Sequence, residues 1–126
     1  MRRGSGTDRQ RILIVEDEAV TSVMIEDLLE KLGCEVVGPA GSLREALKLA
    51  DAGALDGAVL DVNLEGVPVY SLADRLALRE VPFIFLTGYA QAVPPAHADR
   101  PVLEKPFHQG ELARVLTREF SLTPPA

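Results

Sequence analysis

The chain is poor in several residue types, and each shortage excludes something. It has one cysteine, Cys34, so no internal disulfide framework is possible and a reducing, cytoplasmic setting is expected. Cys34 itself reads as a small buried hydrophobe. No apolar run approaches the ~18 residues a membrane span requires, so no membrane partner is expected. Residues 1–10 are basic, but no apolar stretch follows them to make a secretory signal. An excess of positive charge is also missing. Lys and Arg total 13 against 19 Asp and Glu, a formal charge of −6, which argues against nucleic acid as a partner.

What the chain does contain suits one domain. It has 126 residues, 47% of them apolar and 25% charged, enough for a real core in a single compact unit. The expected division is a flexible tail over 1–10, a folded domain over 11–121 and a short tail over 122–126.

Short apolar runs alternate with helical spacing. Strands are expected at 11–15, 34–38, 56–61, 81–86 and 101–104, each bounded by charge, glycine or proline. Val20, Val23, Met24, Leu28 and Leu32 suggest a first helix, which Gly33 would cap. Pro39 and Gly41 suggest a loop. Ser42 and Glu45 have capping-box spacing ahead of a second helix. Gly66 and Pro68 suggest a loop or first helical turn before a third, and Phe107 and Leu112 a hydrophobic staple for the last. Between the fourth and fifth strands Pro94-Pro95 predicts a short, broken or mobile segment over 90–100. Five strands alternating with five helical segments give a parallel sheet covered on both faces.

In such a sheet all strand ends share one edge, where ligands bind. Glu16 and Asp17 follow the first strand. Asp61 ends the third, Thr87 the fourth and Lys105 the fifth. Three carboxylates in one pocket repel, by about 4 kcal/mol for a pair ~4 Å apart at an effective dielectric of 20. A divalent cation relieves that, and all-oxygen ligands suit Mg²⁺ (or Mn²⁺). Asp17 and Asp61 are the expected direct ligands, with Glu16 binding directly or through water and the main-chain carbonyl of Asn63 joining them. Asp61 is then a plausible nucleophile toward phosphorus. Lys105 offers a positive charge and Thr87 a hydroxyl to the phosphoryl oxygens, while Gly88 lets the backbone approach. His97 and His108 read as structural or solvent-facing.

Val15-Glu16-Asp17-Glu18, Leu60-Asp61-Val62-Asn63-Leu64, Phe85-Leu86-Thr87-Gly88-Tyr89 and Glu104-Lys105-Pro106-Phe107 resemble the motifs of the receiver domain of bacterial response regulators in two-component systems. The resemblance covers about residues 10–121. It implies a flavodoxin-like (βα)5 three-layer fold with strand order 2-1-3-4-5. It also implies a phosphoaspartate at Asp61, an acidic metal pair Glu16 and Asp17, a switch residue Thr87, and a cis peptide between Lys105 and Pro106. The implied partner is a sensor histidine kinase or histidine phosphotransfer protein. The chain departs from the usual pattern at Val102, where most receivers carry the aromatic switch partner of the threonine. Its Phe-x-Thr-Gly-Tyr and Pro-Val-Leu-x-Lys-Pro-Phe runs are similar to the FAT GUY subset, many of them single-domain. Tyr89 and the 90–100 segment are therefore expected to respond to phosphorylation in place of the usual aromatic.

Three functions are weighed on these residues. The first is a single-domain receiver, monomeric or weakly dimeric, that signals or relays by protein contact and catalyses only its own phosphorylation and slow dephosphorylation. The second is a docking module that has lost phosphorylation, against which Asp61, Lys105 and the acidic pair all stand. The third is a haloacid-dehalogenase-type phosphatase. That chemistry needs a second aspartate two residues after the nucleophile, where this chain has Asn63.

Overall fold

The computed structural model describes residues 9–88 and 93–122. The elements run β1 (Arg11–Val15), α1 (Ala19–Lys31), β2 (Glu35–Ala40), α2 (Leu43–Asp51) and β3 (Gly57–Asp61). Two short strands follow, β4 (Asn63–Leu64) and β5 (Val67–Pro68). The chain continues with α3 (Tyr70–Leu78), β6 (Phe83–Thr87), a 3-10 turn at Pro95–His97, β7 (Val102–Glu104) and α4 (Gln109–Glu119). The five-stranded sheet is parallel, in the order β2-β1-β3-β6-β7. Counting only its own strands, that order is 2-1-3-4-5. The labels shift because β4 and β5 form a separate antiparallel hairpin.

Alternating residues of the sheet feed two cores. Leu13, Val15, Leu60, Phe83 and Phe85 pack with Ala46, Ala50, Leu72 and Leu76 of α2 and α3. Ile12, Ile14, Val59, Ile84 and Leu86 pack with Ile25, Leu28 and Leu29 of α1 and with Leu112 and Leu116 of α4. Three layers result, with the central strands buried on both faces as their unbroken apolar runs require. Gly57 makes room for this packing, since a Cβ there would stand 2.6 Å from the Phe120 ring and force it to shift.

Four expectations need correction. The buried face of α1 is Ser22, Ile25, Leu28 and Leu29, so Val20 and Val23 stand exposed, at 86% and 52%. The apolar pattern of this helix is wide enough to fit a face rotated by one residue, and sheet packing selects the other. The second strand begins at Glu35 and runs on through Pro39 to Ala40. Gly38 at φ +94 and a register shift opposite β1 absorb the proline. Residues 63–68 form a hairpin in place of a loop or helical turn, with Gly66 at φ +89 in its bend. Finally, four α-helices and a 3-10 turn occupy the described residues where five helical segments were expected. Residues 93–100 are indeed broken, while 90–92 fall outside the described residues.

The helix ends behave as the sequence suggests, with one variation. α1 closes in a Schellman motif, Gly33 N–H donating to the Glu30 carbonyl at 3.0 Å and Cys34 N–H to that of Leu29 at 2.9 Å. At α2 the Glu45 N–H donates to Ser42 Oγ at 3.2 Å, but Glu45 Oε1 accepts from Gly41 N–H rather than from Ser42. Phe107 packs on the core that contains Leu112, as a staple should.

Candidate functional site

The sheet register builds the site. Val15 pairs with Leu60, Asp61 with Leu86 and Thr87 with Glu104. One residue past Val15 and Leu60, Glu16 and Asp61 therefore come side by side. One residue past Glu104, the Lys105 N–H donates to the Thr87 carbonyl at 2.7 Å. The strands thus deliver Glu16, Asp61, Thr87 and Lys105 to one edge, as their positions in the sequence anticipated. Lys105–Pro106 is a cis peptide, as the resemblance implied; Gly38–Pro39 is a second, which the sequence did not signal.

Above that edge lies an open cleft of about 730 Å³ lined by Asp17, Asp61, Asn63, Gly88, Lys105 and Phe107, among others. Asp61 is only 6% exposed. Its Oδ1 accepts from the Asn63 N–H at 3.1 Å, and its Oδ2 lies 3.4 Å from Lys105 Nζ. The Asn63 side chain accepts from Gly66 N–H through Oδ1 at 2.6 Å, a bond within the 63–68 hairpin that closes its bend. Thr87 is buried at the end of β6, and Gly88 after it lines the cleft. Val102 is half-exposed on the edge strand β7. Tyr89 falls outside the described residues.

Lys105 is the hub. Its Nζ lies 2.9 Å from Glu16 Oε1 and 2.9 Å from Glu18 Oε1. Burial works against its charge. Hydrogen bonds to Glu18 and Glu16 and the charges of Glu16 and Asp61 outweigh burial, so its pKa is raised. Burial is also the largest influence on Glu16, pushing its carboxyl up to about 7 against the pull of Lys105, with the charge of Asp61 adding to the rise. Glu18, mostly solvated, is held below the usual range by its hydrogen bond from Lys105. The sequence assigned Glu18 no role.

Glu16, Asp17 and Asp61 each present a carboxylate oxygen within 4.8 Å of the others. Glu16 Oε1 is buried without a well-directed hydrogen bond, although Lys105 Nζ stands near it. A carboxylate-only donor set with an under-satisfied oxygen fits a hard divalent cation such as Mg²⁺. The remaining candidates lie elsewhere. His97 is buried at the 3-10 turn, between the rings of Phe83 and Phe85 and the carboxylate of Asp74. The His108 N–H donates to Glu111 Oε1 at the start of α4. His97 has a structural setting, whereas His108 is exposed at the start of α4.

The family profile described as "Response regulator receiver domain" matches residues 12–117. The chain belongs to the response regulator receiver family. This receiver is 32% identical over 112 residues to the phyllosphere-induced regulator PhyR of Methylorubrum extorquens, an alignment covering 85% of the chain and 42% of PhyR. Among solved structures it is similar to SdrG of Sphingomonas melonis Fr1, with 41% identity, a TM-score of 0.77, and 86% of this chain and 94% of that one covered. It is also similar to the receiver domain of the sensor histidine kinase PA1611 of Pseudomonas aeruginosa. There the identity is 30%, the TM-score 0.75, and the coverage 90% of this chain and 98% of that one. That structure holds a magnesium ion coordinated in its active-site cleft. The receiver spans about half the length of the curated relatives it matches. Receiver domains are signalling modules, in keeping with a non-enzymatic role. Among the described residues no helix is long and apolar enough to cross a membrane.

Proposed function

We propose that Asp61 accepts a phosphoryl group from the phosphohistidine of a sensor histidine kinase or phosphotransfer protein. The phosphorylated domain then signals, or passes the group on, through protein contacts. The observation that carries this reading is the setting of Asp61. It is a nearly buried carboxylate at a strand end, open to a cleft, with a lysine ammonium 3.4 Å away and two further carboxylates beside it.

The chemistry follows from that setting. A carboxylate oxygen of Asp61 bonds to phosphorus as the P–N bond of the phosphohistidine breaks. The bonding pair stays on the imidazole nitrogen, which takes up a proton from solvent. Asp61 becomes an acyl phosphate. Lys105 holds a phosphoryl oxygen by charge, and the Thr87 hydroxyl donates to another. Glu16, Asp17, Asp61 and the Asn63 carbonyl are the residues that would hold Mg²⁺, which when bound offsets negative charge on the phosphoryl group. Asn63 supplies no base at the second position after Asp61, so the acyl phosphate is expected to persist as a signal.

The partner surface adjoins the cleft. Val20 and Val23 are exposed on α1, and Met24, Pro106 and Phe107 line the cleft nearby. An apolar patch beside an acidic reaction centre suits a docking protein that must bring its phosphohistidine to Asp61.

The test is intact-mass analysis after incubation with Mg²⁺ and a small phosphodonor. Wild type is expected to gain one phosphoryl group and Asp61→Ala none. No gain in wild type would favour a docking module. Rapid multiple turnover of a phosphate ester would favour a phosphatase.

A further inference from the structure

Lys105 has three ammonium hydrogens and three carboxylates around it, and the proposed phosphoacceptor is the most distant of them. Glu16 and Glu18 each lie 2.9 Å from Nζ, Asp61 3.4 Å. The three acids are not equivalent. Glu16 and Asp61 are buried, whereas the Glu18 side chain is 61% exposed. The Glu18 carboxylate is also fixed in place. The Thr21 hydroxyl in the first turn of α1 donates to Glu18 Oε1 at 3.2 Å, the same oxygen that receives Lys105.

Resting on the reading of Asp61 as phosphoacceptor, we infer that Glu18 is a positioning residue. It holds the Lys105 ammonium toward α1 and competes for it with the incoming phosphoryl group.

A phosphoryl group on Asp61 needs one of the three ammonium donors. Glu16 is a poor source, because its side chain is fully buried and water cannot replace the lost bond. Glu18 is a good one, because water replaces the lost bond at little cost. The Glu18–Lys105 contact is thus the one that yields when phosphate arrives. Glu18 touches neither reacting atom. With acetyl phosphate as donor, an Asp61 oxygen bonds to phosphorus and the P–O bond to the acetyl group breaks. Acetate leaves with the electron pair, and no proton is consumed. Glu18 affects this step only through the lysine that must meet the phosphoryl oxygens.

The competition also separates Glu18 from Glu65, which carries the same charge on the hairpin side of the same cleft. If charge at the cleft were all that mattered, neutralising either would help an anionic donor equally.

The experiment measures initial rates of phosphoryl incorporation into the full chain against acetyl phosphate concentration, with saturating Mg²⁺. It compares wild type, Glu18→Gln and Glu65→Gln. Glu18→Gln is expected to lower the donor KM by about 2- to 5-fold, the range set by an exposed ion pair, with the saturating rate within two-fold of wild type. Glu65→Gln is expected to give a clearly smaller change. An unchanged or higher KM in Glu18→Gln overturns the inference, as does an equal gain in Glu65→Gln or a gain confined to the saturating rate. If wild type takes up no phosphoryl group, the phosphoacceptor reading fails and the inference with it. If wild type is labelled and Glu18→Gln behaves like it, the inference alone fails.

Discussion

His97 Nε2 lies 2.7 Å from Asp74 Oδ1, and this contact joins the 3-10 turn after β6 to helix α3. The His97 ring stands edge-on to Phe83 and Phe85 at 5.6 and 6.0 Å, and Arg100 covers the Phe83 ring at 4.2 Å. Phe85 is two residues before Thr87 on the same strand. The turn is thereby fastened to the strand that ends in Thr87. His97→Ala should destabilise the protein by on the order of 2 kcal/mol, as expected for emptying a buried, hydrogen-bonded site. Amide exchange of His97 and Arg100, whose N–H groups donate to Pro94 and His97 carbonyls, should rise well above that of β6. Asp74→Asn, which keeps an acceptor, should cost less than about 1 kcal/mol. Unchanged exchange over 93–100 in His97→Ala would contradict the latch.

The acidic site should be a stability liability without metal. Lys105 keeps its two nearer carboxylates when Asp61 is neutralised, so Asp61→Asn removes more repulsion than attraction. Thermal unfolding without Mg²⁺ should show Asp61→Asn more stable than wild type by about 1 kcal/mol. Added Mg²⁺ should raise the wild-type Tm and raise that of Asp61→Asn less, by mass action on a weaker site. A lower Tm in Asp61→Asn, or equal Mg²⁺ shifts, would count against this placement of charge.

Much of this site was legible in the sequence because it follows from a simple rule. Buried apolar runs at the first, third, fourth and fifth strands end in Glu16 and Asp17, Asp61, Thr87 and Lys105, and a parallel sheet puts those ends on one edge. Other features left no comparable trace. The 63–68 hairpin has strands of two residues, too short for any periodicity. The α1 pattern fits two faces one residue apart, and only packing against the sheet, in the core with Ile12 and Ile14 of β1, chooses Ile25 and Leu29 over Val20 and Val23. β2 runs through Gly38 and Pro39, which read locally as strand breakers. Glu18 was one of three consecutive acids, and nothing in its spacing shows which of them reaches a lysine 87 residues away.

Cys34 gives a pH-dependent prediction. It is 1% exposed, and burial, helped by the charge of Asp56, pushes its thiol up to about 11 from 9.0. Since the thiolate is the reactive form, iodoacetamide at pH 8 should modify native protein at least roughly 100-fold more slowly than protein in denaturant. The folded state holds this proton more tightly than the unfolded one. The stabilisation is therefore complete below about pH 9 and is lost as pH rises from there toward 11. Equal alkylation rates in native and unfolded protein would refute the assignment.

Glu80 ends α3 in a left-handed conformation, φ +58, while its N–H donates to the Ala77 carbonyl and that of Val81 to Leu76. This is the position where glycine is favoured in a Schellman motif. Glu80→Gly should stabilise the protein by about 0.5–1 kcal/mol in chemical denaturation. A loss of stability would show that the Glu80 side chain makes a compensating contact.

The most direct measurement is chemical trapping of the phosphorylated residue. Borohydride reduces an acyl phosphate to the alcohol, which at an aspartate leaves homoserine. After incubation with Mg²⁺ and acetyl phosphate, reduction and peptide mapping should find homoserine at position 61 and an unaltered residue at Asp17, Glu16 and Glu18. Unreduced Asp61 in phosphorylated protein, or phosphate mapped to His97 or His108, would contradict the account.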